Sequence, residues 1–219
     1  MSLSLFAHPL SSYCQKVLTA LYEAGTPFTY RQLSFDDKET GAEFAQLWPI
    51  QRMPLLRDGD RSVMESSIII EYLDRHYPGL APMVPADPAA AQEVRFLDRV
   101  FDNYVMTPMQ KIVFNAIRPA ESRDPYGVDE AKVLLGRAYA WLDAHLKGRT
   151  WAAGDRFTLA DCAAAPALFY ADWVLPFGDG FPTLLAYRQR LLKRPSFARA
   201  VDEGRPFRHF FPLGAPDRD

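Results

Sequence analysis

Cysteine is scarce. Cys14 and Cys162 are the only two in 219 residues, too few for a disulfide scaffold and in keeping with a reducing compartment. Charge of one sign is also lacking: 25 basic residues stand against 27 acidic ones, a formal net charge of -2. No strong field therefore draws the chain to nucleic acid or to a membrane surface. Long hydrophobic runs are missing too. The richest stretch, Cys162 to Ala171, stops at Asp172, well short of the ~20 apolar residues a bilayer requires. No lysine or arginine precedes Lys16, so a secretory leader is not expected and a cytoplasmic location is. The histidines His8, His76, His145 and His209 are scattered, and no C-x-x-C, H-x-x-x-H or glycine-rich phosphate loop occurs. Neither a metal nor a nucleotide cofactor is expected.

What is present is a globular composition, 48% hydrophobic and 24% charged, on a chain long enough for one large domain or two small ones. The first part alternates short strand and helix signals. Ser2 to Ala7 is an apolar run, and Ser11 to Ala24 has helical spacing (Val17, Leu18, Leu21, Tyr22) closed by Gly25. Phe28 to Leu33 alternates in strand fashion, Ser34 to Gly41 reads as a polar loop, and Ala42 to Leu47 as a short helix. Leu55-Leu56 and Ser62 to Met64 flank Asp58-Gly59, a hairpin signal, and Ser66 to Tyr77 is helical up to Pro78-Gly79. This gives the order βαβ, then αββα, over residues 1–80. Residues 81–88, with Pro82, Pro85 and Pro88, form the expected linker. The remainder, 89–219, is expected to be all-helical: Ala89 to Ile117 with a bend near Pro108, then Asp129 to Leu146, Thr158 to Asp172, Phe181 to Lys193, and Ser196 to about Gly204. The tail from Pro206 reads as a packed extended segment with a frayed end.

Three junctions carry residues able to do chemistry. His8 to Val17 joins the first strand to the first helix, where free backbone N–H groups and the positive dipole end favour an anion. Ser11 stands three residues before Cys14, the spacing of a redox pair whose first cysteine is serine, and its hydroxyl can donate to a ligand's thiolate. The plainer alternative is that Ser11 or Ser12 merely caps the helix. At Met53-Pro54 an ordinary trans bond opening a strand is the simpler expectation; a cis bond would turn the Met53 backbone outward toward an extended peptide. At Glu65-Ser66, Ser66 can cap the next helix or, together with the dipole, hold a carboxylate, and Glu65 can hold an ammonium group. Cys14 and Cys162 read as small buried hydrophobes.

Taken together, these segments resemble those of the cytosolic glutathione transferases, over essentially the whole chain. Ser11-Ser12-Tyr13-Cys14-Gln15-Lys16 is similar to the family's S-P-[FY]-x-[RK]-K segment, Arg52-Met53-Pro54 to its cis-proline motif, and Glu65-Ser66 to its E-S pair. Thr158-Leu159-Ala160-Asp161 is similar to its capping box. Ser12 replaces the usual proline, Trp48 the asparagine common before Pro49, and Gln51 a frequent glycine. The resemblance implies a thioredoxin-like α/β first domain that binds glutathione and an all-α second domain. It also implies a homodimer in which the first domain of one subunit meets the second domain of the other.

Carried over by residue, the resemblance makes Ser11 the hydrogen-bond donor to the glutathione sulfur, with Ser12 beside it. Met53, ahead of Pro54, would pair with the cysteinyl backbone. Glu65 and Ser66 would hold the γ-glutamyl end, and Arg52 would approach the glycyl carboxylate. The expected activity is conjugation of glutathione, a co-substrate rather than a cofactor, to a small hydrophobic electrophile. Leu10, Tyr104, Pro108, Met109 and Phe114 are candidates for the wall of the electrophile pocket or for ordinary core. Rival readings are a glutathione-dependent thiol reductase or peroxidase using Cys14, a glutathione-binding member without catalysis, and an isomerase of the maleylacetoacetate type.

Overall fold

The computed structural model describes residues 3–219; Ser2, at the head of the predicted first strand, lies outside them. Four strands, β1 (Leu3–Ala7), β2 (Thr29–Gln32), β3 (Leu55–Asp58) and β4 (Arg61–Met64), form one mixed sheet in the order β2-β1-β3-β4. β1 runs parallel to β2 and antiparallel to β3, and β3 and β4 make the hairpin. Gly59 supplies the turn at φ 57, a conformation open to residues without a Cβ.

The period of two along β1 explains how the sheet is covered. Leu3, Leu5 and Ala7 face one way and pack with Val17, Leu18 and Leu21 of α1 (Ser12–Ala24) and Ile69, Ile70 and Leu73 of α3 (Ser66–His76). Phe6 faces the other way and packs with Leu33, Leu55 and Phe44 of α2 (Lys38–Leu47). α1 stops at Gly25, whose left-handed backbone returns its amide to the Leu21 and Tyr22 carbonyls. α2 corrects the loop expected over Ser34 to Gly41. The Asp37 carboxylate accepts the Thr40 amide at 2.9 Å, a side-chain cap that starts the helix inside the charged stretch.

The second half is helical: α4 (Pro88–Val100), α5 (Thr107–Ala116), α6 (Pro125–His145), α7 (Leu159–Val174), α8 (Pro182–Leu192) and α9 (Pro195–Gly204). The single helix expected over Ala89 to Ile117 is divided by a π-helical segment, Phe101–Met106. Pro108 has no amide to donate, and the Thr107 amide reaches back five residues to the Asp102 carbonyl. α6 starts at Pro125, earlier than the expected Asp129, because the Asp124 side chain caps the Gly127 amide at 2.8 Å. Pro88, assigned to the linker, is instead the first helical residue of α4, a position where proline loses nothing. Arg205–Phe210 is a 3-10 helix rather than an extended segment, and Asp219 pairs with Arg205 and Arg208 rather than fraying.

α7 is the axis of this half. Every residue from Leu159 to Trp173 is buried. At its start Asp161 accepts the amide (2.9 Å) and hydroxyl (3.1 Å) of Thr158, and also the Ala152 amide (2.8 Å) and Tyr187 hydroxyl (2.6 Å). α1 packs against both α7 and α9, so the two halves share one core. None of the helices among the described residues is long and apolar enough to cross a membrane.

Candidate functional site

The turn from β1 into α1 is braced from several sides. The Ser11 amide donates to the His8 carbonyl (3.0 Å), the Leu10 amide to His8 Nδ1 (3.1 Å), and Gln15 Nε2 to the Pro9 carbonyl (2.9 Å). From α7, the Tyr170 hydroxyl donates to the Leu10 carbonyl at 2.7 Å. α9 comes so close that a Cβ on Gly204 would sit 3.2 Å from the Pro9 carbonyl oxygen. Ser11 holds the N-cap position with extended backbone (φ -77, ψ 124), yet its side chain makes no cap bond. Its hydroxyl is thus not consumed by the local role that sequence alone would assign to it. Ser12 is the first helical residue and is buried.

Cys14 is fully buried. Burial pushes its thiol up to about 11, against the pull of the adjacent Ser11 side chain and of the His8 amide, which donates to the sulfur at 3.5 Å. It is a neutral thiol at physiological pH and has no route to solvent as a nucleophile. Cys162 is likewise buried in α7.

At the second junction the Met53–Pro54 bond is cis, against the simpler trans expectation. Two non-glycine residues among those described have positive φ, Gln51 (55°) and Glu65 (68°). Each such conformation costs on the order of 1–3 kcal/mol and persists only where the surroundings impose it. Glu65, not Ser66, is the N-cap of α3, and it makes no side-chain cap bond; Ser66 is buried in the first turn. The N-termini of α1 and α3 thus keep amides free at neighbouring places, a combined source of positive potential.

These junctions line one cleft of about 730 Å³. Ser11, Ser12, Glu65 and Ser66 border it from the helix starts, Arg52, Met53 and Pro54 from the loop, and Leu10 from the first turn. Arg52 is exposed and makes no ion pair among the described residues. Of the other wall candidates, Met109 and Phe114 line the cleft, whereas Tyr104 and Pro108 do not. Tyr104 is about half exposed elsewhere and Pro108 is buried. The π-helical segment Phe101–Met106 lies in this stretch and changes which side chains come round to the cleft. Sequence reasoning missed Tyr13, Gln110, Tyr170 and Phe211, which also line it. Tyr13 is visible in the motif, and its phenol is pushed up to about 12, first by burial and then by the Asp102 charge. Nothing in the local sequence signals the others.

Behind the cleft lies a buried ionic cluster. Lys16, on α1 and fully buried, reaches Asp98 (2.6 Å) and Asp102 (2.8 Å) and donates to Ser67 Oγ (2.9 Å) on α3. Arg99 covers it, pairing with Asp98 (2.6 Å) and Asp102 (2.7 Å). Burial pushes the Asp102 carboxyl up, against the pull of Lys16. The cluster ties both helix starts to the helical half.

The chain matches the family model of the glutathione S-transferase N-terminal domain over residues 5–81 and that of the glutathione S-transferase C-terminal domain over residues 105–195. The stringent starvation protein A homolog of Coxiella burnetii is 27% identical over 207 residues, covering 92% of each chain. Glutathione S-transferase GstB of Escherichia coli is 28% identical over 207 residues, 91% of this chain and 97% of that one. A solved glutathione S-transferase from Methylobacillus flagellatus, described with glutathione bound, superposes with a TM-score of 0.83 at 26% identity, over 91% of this chain and 98% of that one.

Proposed function

Because the chain belongs to the cytosolic glutathione transferase family, we propose that it is an enzyme conjugating the thiolate of glutathione to a small hydrophobic electrophile. The supporting observation is the Ser11 hydroxyl. It borders the cleft at the open start of α1, makes no cap bond, and shares the cleft with the Glu65-Ser66 start of α3.

In this reading Ser11 donates its hydrogen bond to the glutathione sulfur, with Ser12 beside it. The Met53 backbone, next to Pro54, pairs with the cysteinyl residue. Glu65 takes the γ-glutamyl ammonium, Ser66 and the α3 amides take its carboxylate, and Arg52 approaches the glycyl carboxylate. A free thiol titrates near 8.5, and lowering it by about two units requires about 2.7 kcal/mol of preferential stabilisation of the anion. A helix N-terminus contributes about 0.3–1 kcal/mol and a hydrogen bond to a charged group about 1.5–3 kcal/mol. Together they suffice without a covalent enzyme intermediate. The thiol proton leaves to solvent, and the thiolate forms the new carbon–sulfur bond to an electrophile held against α5. Cofactors have no part in this chemistry. The enzyme is proposed to act as a cytoplasmic homodimer.

The burial of Cys14 counts against a reductase using that thiol. Kinship with a protein named for stringent starvation favours, as second reading, a glutathione-binding member without transfer. Calorimetry with glutathione, followed by turnover of aryl halides, epoxides and isothiocyanates, separates the two. Binding with conjugation supports the enzyme, binding without it supports the second reading, and absence of binding defeats both.

A further inference from the structure

His8 supplies three of the hydrogen bonds that shape the turn presenting Ser11. Its backbone amide donates to Cys14 Sγ (3.5 Å), its carbonyl accepts the Ser11 amide (3.0 Å), and its ring Nδ1 accepts the Leu10 amide (3.1 Å). Pro9 has no amide to give, and the Leu10 amide has no other acceptor among the described residues. The ring is half-buried and stands edge-on to Phe207, with centroids 4.9 Å apart. His8 itself does not line the cleft.

An amide can donate to Nδ1 only while that nitrogen keeps its lone pair, which places the single ring proton on Nε2. Uptake of a proton from solvent puts a second N–H on Nδ1, aimed at the Leu10 N–H from 3.1 Å. Two donors then face each other, and either the ring or the Leu10 amide must turn away. The Leu10 carbonyl is held by the Tyr170 hydroxyl at 2.7 Å. The movement therefore falls on the backbone that aims the Ser11 hydroxyl, where a displacement of about 1 Å can cost about 100-fold in rate.

The other titratable groups on the elements around this turn are engaged elsewhere or uncharged. α1 presents the Cys14 thiol and α7 the Tyr170 hydroxyl, both kept neutral because burial raises them. On α9, Glu203 engages Tyr22 and Arg199. On the 3-10 helix, Arg205 and Arg208 engage Asp219, and His209 turns its Nδ1 to the Pro206 carbonyl. Burial alone holds the His8 imidazole below the ordinary histidine value. The neutral ring is the form at pH 7, and the charged one appears only in acid.

We propose that His8 is a positioning residue for the Ser11 hydroxyl, and that a proton on its ring switches the site off in acid by releasing the Leu10–Ser11 turn. This role rests on the glutathione-conjugating reading above.

The test follows kcat for an aryl halide, 1-chloro-2,4-dinitrobenzene, at saturating glutathione from about pH 4.5 to 8 in the unmodified protein, His8→Asn and His8→Phe. Asn keeps an acceptor for the amide two residues on and does not titrate. Phe keeps a ring against Phe207 and removes the acceptor. Protonation of the bound thiolate alone lowers kcat by about tenfold per pH unit, and a second proton on His8 steepens this toward about 100-fold per unit. The steep limb is expected in the unmodified protein and in neither variant. At neutral pH, Phe is expected to lower kcat by roughly 10-fold, and Asn to restore most of that loss. Circular dichroism at each pH reports folding. A steep limb that persists in His8→Asn, its absence from the unmodified protein, or unfolding that coincides with it overturns the role of His8 while leaving conjugation intact. No conjugation by the unmodified protein at any pH overturns the parent reading and this one with it.

Discussion

Ser11 and Cys14 are one helical turn apart and have opposite fates. Ser11 borders the cleft with its side chain outside the helix cap, so Ser11→Ala is expected to raise the pKa of bound glutathione and to reduce kcat/KM by roughly 10- to 100-fold, equivalent to about 1.4–2.7 kcal/mol. Ultraviolet absorbance of the bound thiolate against pH measures the first, steady-state kinetics the second. Retention of the full rate would transfer the role to Ser12. Cys14→Ala is expected to preserve turnover and to cost about 1–2 kcal/mol in chemical unfolding, as a small cavity opens in the core. Burial pushes the Cys14 thiol up to about 11 in the folded protein, above the ordinary range of a thiol. A raised folded value means that its contribution is complete below about pH 9 and is lost as the pH rises toward 11. The melting temperature should therefore fall across that interval, less steeply in Cys14→Ala.

At the scale of elements, the Lys16 cluster fixes how α1, α3 and α4 meet. Lys16→Met leaves Asp98 and Asp102 buried without their ammonium partner, and a loss of about 3–5 kcal/mol is expected in urea unfolding. Elements with local signals were readable from sequence: β1 from its apolar run, the end of α1 from Gly25, and α7 from Thr158 and Asp161. Those set by a single side-chain cap within a polar stretch were not. Asp37 and Asp124 each start a helix where composition alone suggests a loop. The same contrast runs through the cleft. Ser11, Met53, Glu65 and Ser66 sit at junctions that a motif marks, whereas Tyr170 and Phe211 reach it only through tertiary packing. The π-helical segment Phe101–Met106 interrupts regular helical spacing just before α5, and Tyr104 within it and Pro108 just beyond it do not line the cleft.

For the molecule as a whole, glutathione is expected to act as a clamp, because the groups proposed to hold it come from β1–α1, the Gln51–Pro54 loop and the start of α3. A ligand at a hundred times its dissociation constant adds about 2.7 kcal/mol to the folded state. The melting temperature should rise with glutathione concentration, and Ser66→Ala should weaken that rise; no rise at saturating glutathione would count against the site. The chain's order of synthesis adds a constraint of its own. The cleft is bounded by Leu10 at one extreme and by Phe211 and Pro212 at the other. Because a ribosome makes the chain from its amino end, a growing polypeptide lacks part of the pocket until Pro212 has emerged. Incomplete products, even those with every residue of the peptide-holding junctions, are born without a finished enclosure for a reactive guest.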